Sequence, residues 1–344
     1  MKAAVTDGKG SLELIDIPTP EPEPYQCVCR LEAAVTCSGT DQKIISGKLF
    51  PGLEYPGVLG HETIGRTVSC GSKVRYIKKG DRFLRPTAVY FGTKYKSYAS
   101  LFGGFAEYGL ITDSAALQED GLADSIPAYA KYQQHVPEDV PGSPEELVQL
   151  VTLKEIAGFI RLCGISFNSS VLILGTGPVA MSMAYFTKLA GARLVIAAGR
   201  REDALSQMTK IGADFKVNCT QDDYIPSVMK FSDSKGVDFV LDAAGSRALL
   251  KQSCRTLTSG GQAITYAVSG DTNPGIEQSD GPGVWSFRFG GPAEDTSHEY
   301  VCGLVKLGAI PLTKFYSHTM PFNSIKKGFE LLQNKQASKV VFTF

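Results

Sequence analysis

Gly175-Thr176-Gly177-Pro178-Val179-Ala180 follows an unbroken apolar run, Val171-Leu172-Ile173-Leu174, and opens an apolar stretch that stops at Gly191. So short an apolar run before glycine reads as a buried strand, and the longer stretch after it as a helix. Strand, tight turn and helix in that order are the setting in which GxGxxA binds a dinucleotide. Gly175 permits the turn, Gly177 lets backbone approach a pyrophosphate, and small Ala180 lets helix pack on strand. Pro178 suits the first helical position and Val179 the second, in a turn whose free N–H groups face the phosphates. Working outward, residues 194–198 read as a second buried strand, 204–211 as a helix, and 237–241 and 263–266 as further strands. Apolar strands alternating with helices predict an α/β fold with a doubly wound parallel sheet.

The end of the second strand carries Ala198-Gly199-Arg200-Arg201. An NAD site places an acid there to accept from the adenosine ribose hydroxyls. Gly199 stands where that acid is expected, and the two guanidiniums that follow suit a 2′-phosphate. The cofactor expected is NADP(H), bound by Gly175, Gly177, Pro178, Val179, Gly199, Arg200 and Arg201. The alternative for the arginines is a solvated turn.

Upstream the pattern is β. Residues 26–33 alternate, with Cys27, Cys29, Leu31 and Ala33 on one face and Val28, Arg30 and Glu32 on the other. The two cysteines read as small buried hydrophobes. Residues 18–24, PTPEPEP, form a proline-stiffened connector. Residues 114–135 show no clear period and read as a loop. Ser143-Pro144-Glu145-Glu146 is a capping box that starts a helix running to about Cys163. A helix over 324–333 and a strand over 339–344 close the chain.

Composition narrows the function. Among 344 residues, Lys plus Arg number 35 and Asp plus Glu 35, so net charge is zero and neither nucleic acid nor an anionic membrane is the expected partner. The eight cysteines are scattered, without any CxxC, which argues against a disulfide scaffold. No apolar run approaches the ~18 residues of a membrane span. The expectation is a reduced, soluble, cytoplasmic protein acting on a small molecule.

Several further motifs are Ser38-Gly39-Thr40-Asp41 with Gly47, Pro56-Gly57-Val58-Leu59-Gly60-His61-Glu62, Gly80-Asp81-Arg82, Gly104-Phe105-Ala106-Glu107-Tyr108 and Lys339-Val340-Val341. With the Gly175 loop, they make the chain resemble the medium-chain dehydrogenase/reductase superfamily, in its zinc-type alcohol and polyol dehydrogenase branch. The resemblance implies a GroES-like β-rich catalytic domain from residues 1–142 and 305–344, and a Rossmann domain from 143–304. It also implies an active site in the cleft between them and a homodimer.

The resemblance breaks at the metal. Family spacing puts Ser38, not Cys37, at the first ligand position; on a strand, a one-residue shift turns a side chain to the other face. His61 matches the second ligand, and the third falls on Val151. Ser38, His61 and Val151 do not make a zinc set. The four-cysteine lobe that relatives carry near residues 90–105 has no cysteine here. The expected enzyme is therefore an NADP-dependent oxidoreductase that passes hydride to or from a small alcohol, carbonyl or activated double bond without catalytic zinc. Thr40, at the position whose hydroxyl relays a proton in relatives, and His61 are the candidate catalytic residues. The alternative is a zinc enzyme using His61 with Cys37 or Glu62. An alternative of another class is a catalytically silent dinucleotide-binding protein. The loop 114–135 and Trp285 are expected to set the substrate.

Overall fold

The computed structural model describes residues 1–37, 39–49, 52–220, 223–267 and 275–344. Ser38 lies outside the described residues. The chain forms two compact units: Met1–Val151 with His298–Phe344, and Thr152–Ser297.

In the second unit, strand Ser170–Leu174 lies between Leu194–Gly199 and Val237–Asp242, parallel to both. Phe215–Asn218 extends one side, Leu257–Thr265 and Ser286–Phe289 the other, all parallel. Numbered within this unit, the spatial order is 3-2-1-4-5-6, the doubly wound order whose ligand crevice opens where the winding reverses. All five residues of Ser170–Leu174 are buried, as an apolar run covered on both faces requires. Trp285, expected to help set the substrate, is a core residue. It is 7% exposed within the core beside Val240 and Ala263, and its indole N–H donates to Gln278 O at 3.0 Å. A large ring with one polar atom is most stable where the ring is dry and the N–H is paired.

The first unit is built on the ten-residue strand Gln26–Val35. That strand pairs antiparallel with Thr63–Cys70, Tyr108–Thr112 and the C-terminal strand Val340–Thr343. Cys27 and Cys29 are fully buried in it. A second sheet holds Lys2–Thr6, Leu12–Asp16, Gly57–Leu59, Lys94–Tyr95 and Tyr98–Leu101. Phe105, Phe329 and Phe342 fill the core beneath the returning C-terminal segment.

Two local readings change. The capping box at Ser143 and Glu146 is present, but the helix it starts stops at Leu147 and a separate helix runs Leu150–Cys163. The short helix packs on strands Gln26–Val35 and Val340–Thr343, so it belongs to the first unit. Residues 114–135 are not simply a loop. Asp113 caps a helix at Ser114–Glu119 by accepting from Ala116 N–H, and two 3-10 turns follow at Ala123–Ser125 and Ala128–Tyr132. These pieces are too short to show a period, so a cap is the only signal they offer.

Candidate active site and dinucleotide loop

In the first unit, three distant segments deliver side chains to one place. Gly60 turns the chain after strand Gly57–Leu59 with φ of 102°, and a Cβ there would collide with the Phe105 ring. Only glycine combines that conformation with that contact. The next two residues, His61 and Glu62, are turned inward, 8% and 2% exposed. Beyond strand Gln26–Val35, Cys37 O accepts from Asp41 N–H at 2.9 Å while Asp41 Oδ2 accepts from Cys37 N–H at 2.8 Å. This reciprocal pair closes the loop before helix Thr40–Ile45, where half-buried Thr40 is the first residue.

Sulfur, imidazole nitrogen and carboxylate oxygen of Cys37, His61 and Glu62 all lie within 4.8 Å of one another. The alternation argument that sends Cys37 to the wrong face does not apply, because the strand ends at Val35. Val151 is fully buried in the core.

The surroundings of this trio are charged and dry. His61 Nδ1 is 3.4 Å from Asp41 Oδ1, and both atoms are buried without a hydrogen-bond partner. His61 Nε2 is 3.8 Å from Glu62 Oε1. Burial alone would lower the His61 pKa, but the Asp41 carboxylate and Cys37 together hold it well above the ordinary imidazole value. Glu62 Oε2 accepts from Lys339 Nζ at 2.6 Å, an ion pair in which both side chains are nearly fully buried. Arg85, itself buried, donates from Nη1 to His61 O at 2.7 Å.

This donor set fits a divalent cation. A histidine that ligates through one nitrogen commonly directs the other at a carboxylate, and Asp41 faces Nδ1 while Nε2 faces Glu62. Three protein donors, all that this cluster holds among the described residues, is the composition of a catalytic site open to substrate. Thiolate, imidazole and carboxylate together favour zinc over magnesium or calcium.

In the second unit, Gly175 has φ of 115° and its N–H donates to Ala198 O at 2.8 Å, which fixes the turn. Gly177 caps helix Pro178–Leu189, and a Cβ added there would meet nothing within 4 Å. Pro178 and Val179 form the first turn, and Ala180 is fully buried against the sheet. Gly199 ends strand Leu194–Gly199, and a Cβ there would collide with Thr176 Cγ2. The sequence alone does not reveal that constraint, because Thr176 and Gly199 meet only when the strands pair. Arg200 and Arg201 are exposed, and among the described residues neither guanidinium makes a hydrogen bond or ion pair.

Comparison with known proteins agrees with this geometry. The alcohol dehydrogenase GroES-like domain family matches residues 24–122, and the zinc-binding dehydrogenase family matches residues 178–284. The chain belongs to the medium-chain dehydrogenase/reductase superfamily. It is an oxidoreductase of that nicotinamide-dependent type. An L-threonine 3-dehydrogenase of Bacillus licheniformis is 25% identical over 343 residues, covering 96% of this chain and 94% of that protein. An NADP-dependent isopropanol dehydrogenase of Thermoanaerobacter brockii is 24% identical over 338 residues, covering 95% and 94%. An alcohol dehydrogenase of a Thermus species shares the fold, with a TM-score of 0.80 at 22% identity, covering 100% of this chain and 99% of that one. No helix among the described residues is long and apolar enough to cross a membrane.

Proposed function

We propose that this member of the superfamily is an NADP-dependent alcohol dehydrogenase-like oxidoreductase whose Cys37, His61 and Glu62 hold a zinc ion. The observation that carries the reading is the convergence of those three donors with Asp41 behind the imidazole and Lys339 behind the carboxylate. The metal-free form rests on Ser38 and Val151; the position of Cys37 favours the zinc-dependent form instead. A bound cation supplies Lewis-acid polarisation of the substrate oxygen.

The chain's own residues do the rest. Asp41 orients His61 and offsets charge on it, and Lys339 pairs with Glu62 in a dry site. Thr40 offers the hydroxyl that takes the alcohol proton toward solvent. A bound nicotinamide would accept hydride from the carbinol carbon in oxidation, and the hydroxyl proton would leave through Thr40. The products are a carbonyl compound and reduced cofactor. Gly175 and Gly177 receive the pyrophosphate, and Arg200 and Arg201 the 2′-phosphate.

Reduction of acetone with NADPH and with NADH, followed by initial rates, tests the reading. One good guanidinium–phosphate contact predicts roughly a ten- to hundred-fold preference for NADPH in kcat/KM. Equal use of both cofactors would reduce the arginines to a solvated turn. Oxidation of neither cofactor across alcohols, ketones and aldehydes would favour a silent dinucleotide-binding protein.

A further inference from the structure

The first unit contains a recess of about 960 Å³ whose wall is predominantly apolar. Six aromatic side chains line it: Tyr90, Phe91, Tyr95, Phe102, Tyr129 and Tyr132. Four of them come from residues 90–102 and two from the 3-10 turn Ala128–Tyr132. Phe102 links this recess to the candidate active site. Its ring centroid is 5.1 Å from that of His61, 5.6 Å from Phe91 and 6.5 Å from Tyr129. Phe102 therefore neighbours His61 and also lines the recess.

The chain holds Phe102 there against its own backbone preference. Phe102 has φ of 72°, a left-handed conformation unusual for a bulky side chain. Such conformations persist where the surroundings over-determine them, and they cluster at ligand sites. Here Phe102 bridges to Leu59, two residues before His61, and its carbonyl accepts from the buried Thr87 hydroxyl at 2.7 Å. The same loop reversal that aims His61 inward thus also fixes the ring beside it.

Two of the tyrosine hydroxyls are already engaged elsewhere. Tyr90 Oη is engaged with Thr112 and Gln133, and Tyr95 Oη donates to Thr19 O. Charges of both signs, including Glu21, Glu23 and Lys131, also line the recess, so it carries no single-sign field that selects an ion. Its volume is that of a pocket for a drug-sized ligand, roughly 300–1,000 Å³, and far exceeds the needs of a three-carbon alcohol.

We infer that this aromatic recess binds an aryl group of the substrate, so that the enzyme acts on uncharged aryl or arylalkyl alcohols and carbonyls, with Phe102 as the specificity-determining residue between recess and reacting end. The inference rests on the dehydrogenase reading, because it takes the group beside His61 to be the reacting one. Flat rings stack on aromatic walls in offset or edge-to-face geometry, which gives an aryl group an advantage over a methyl of the same attachment.

The test uses the full chain and two matched pairs. Acetophenone and acetone differ by phenyl for methyl at a reducible carbonyl, and benzamide and acetamide differ likewise at an inert one. With NADPH, kcat/KM for acetophenone should exceed that for acetone by at least about tenfold, as one well-filled apolar subsite allows. Calorimetry should show benzamide binding at least about tenfold more tightly than acetamide. Tyr129→Ala and Phe102→Ala, on separate elements, should each reduce both ratios severalfold. Tyr129→Ala keeps the test open if Phe102→Ala does not fold. No benzamide preference, or one that survives both substitutions, overturns the inference even if acetone is reduced and the dehydrogenase reading stands. Benzamide preference that both variants abolish, in a protein that reduces no carbonyl, supports the aryl site and sinks the dehydrogenase reading instead.

Discussion

The dinucleotide loop and the His61 site differ in what they are made of. In the loop, backbone does the work: two glycines, a helix N-terminus and an open face around Gly177. In the His61 site, side chains of Cys37, Asp41, His61, Glu62 and Lys339 meet across hundreds of residues of sequence. A backbone site tolerates no displacement, because a Cβ in the wrong place fills the space a phosphate needs. A side-chain site can absorb a one-residue shift when the donor lies in a loop, as Cys37 does. The difference predicts graded responses to substitution.

The largest effect should come from the side chain at the centre. His61→Asn should lower turnover by on the order of 10²–10⁴ while leaving NADPH binding, measured by fluorescence titration, largely intact. Near-normal turnover would show that the site is not where chemistry occurs. Lys339→Met removes one cationic partner of the buried Glu62 carboxylate and should cost about 1–3 kcal/mol in denaturant unfolding. A cost below 1 kcal/mol, by order of magnitude, would mean the pair is hydrated in solution. Thr40→Val keeps volume and removes the hydroxyl, so kcat should fall by roughly 10²-fold with little change in cofactor affinity. An unchanged pH–rate profile and rate would assign the proton to another group.

Backbone-limited positions should answer through packing. Gly199→Asp drives a Cβ into Thr176 Cγ2 and should destabilise by about 1–3 kcal/mol. Thr176→Ser removes that methyl, so the double variant should recover stability and shift preference toward NAD. A Gly199→Asp variant as stable as wild type would show that the loop yields more readily than a backbone site should. The smallest effects belong to the exposed arginines. Arg200→Ala and Arg201→Ala should each weaken NADPH by a few-fold to about tenfold, since both compete for the same phosphate oxygens.

This contrast also explains what was legible in the chain. The Rossmann sheet could be read because GxGxxA and fully apolar strands are local signals, contained within a few residues. Gly60-His61-Glu62 could be read by resemblance. Cys37 could not be placed, because its reach depends on where strand Gln26–Val35 ends and on the Asp41 clamp, neither of which has a period. The clash between Gly199 and Thr176 follows from strand pairing, and the burial of Trp285 from a core that draws on residues 172–285. The aromatic recess was hidden for the same reason: residues 90–102 and 128–132 carry ordinary aromatics until the fold brings them to Phe102.

The central claim is that Cys37, His61 and Glu62 hold a metal despite Ser38 and Val151 at two positions where relatives place ligands. Elemental analysis of the purified chain, of Cys37→Ser and of Ser38→Ala, each after removal of loosely bound ions, tests it directly. The account predicts zinc near one per chain in the wild type and in Ser38→Ala, with most of it lost in Cys37→Ser. Wild-type protein well below one metal per chain, with full activity after chelation, would contradict it and return the enzyme to metal-free hydride transfer.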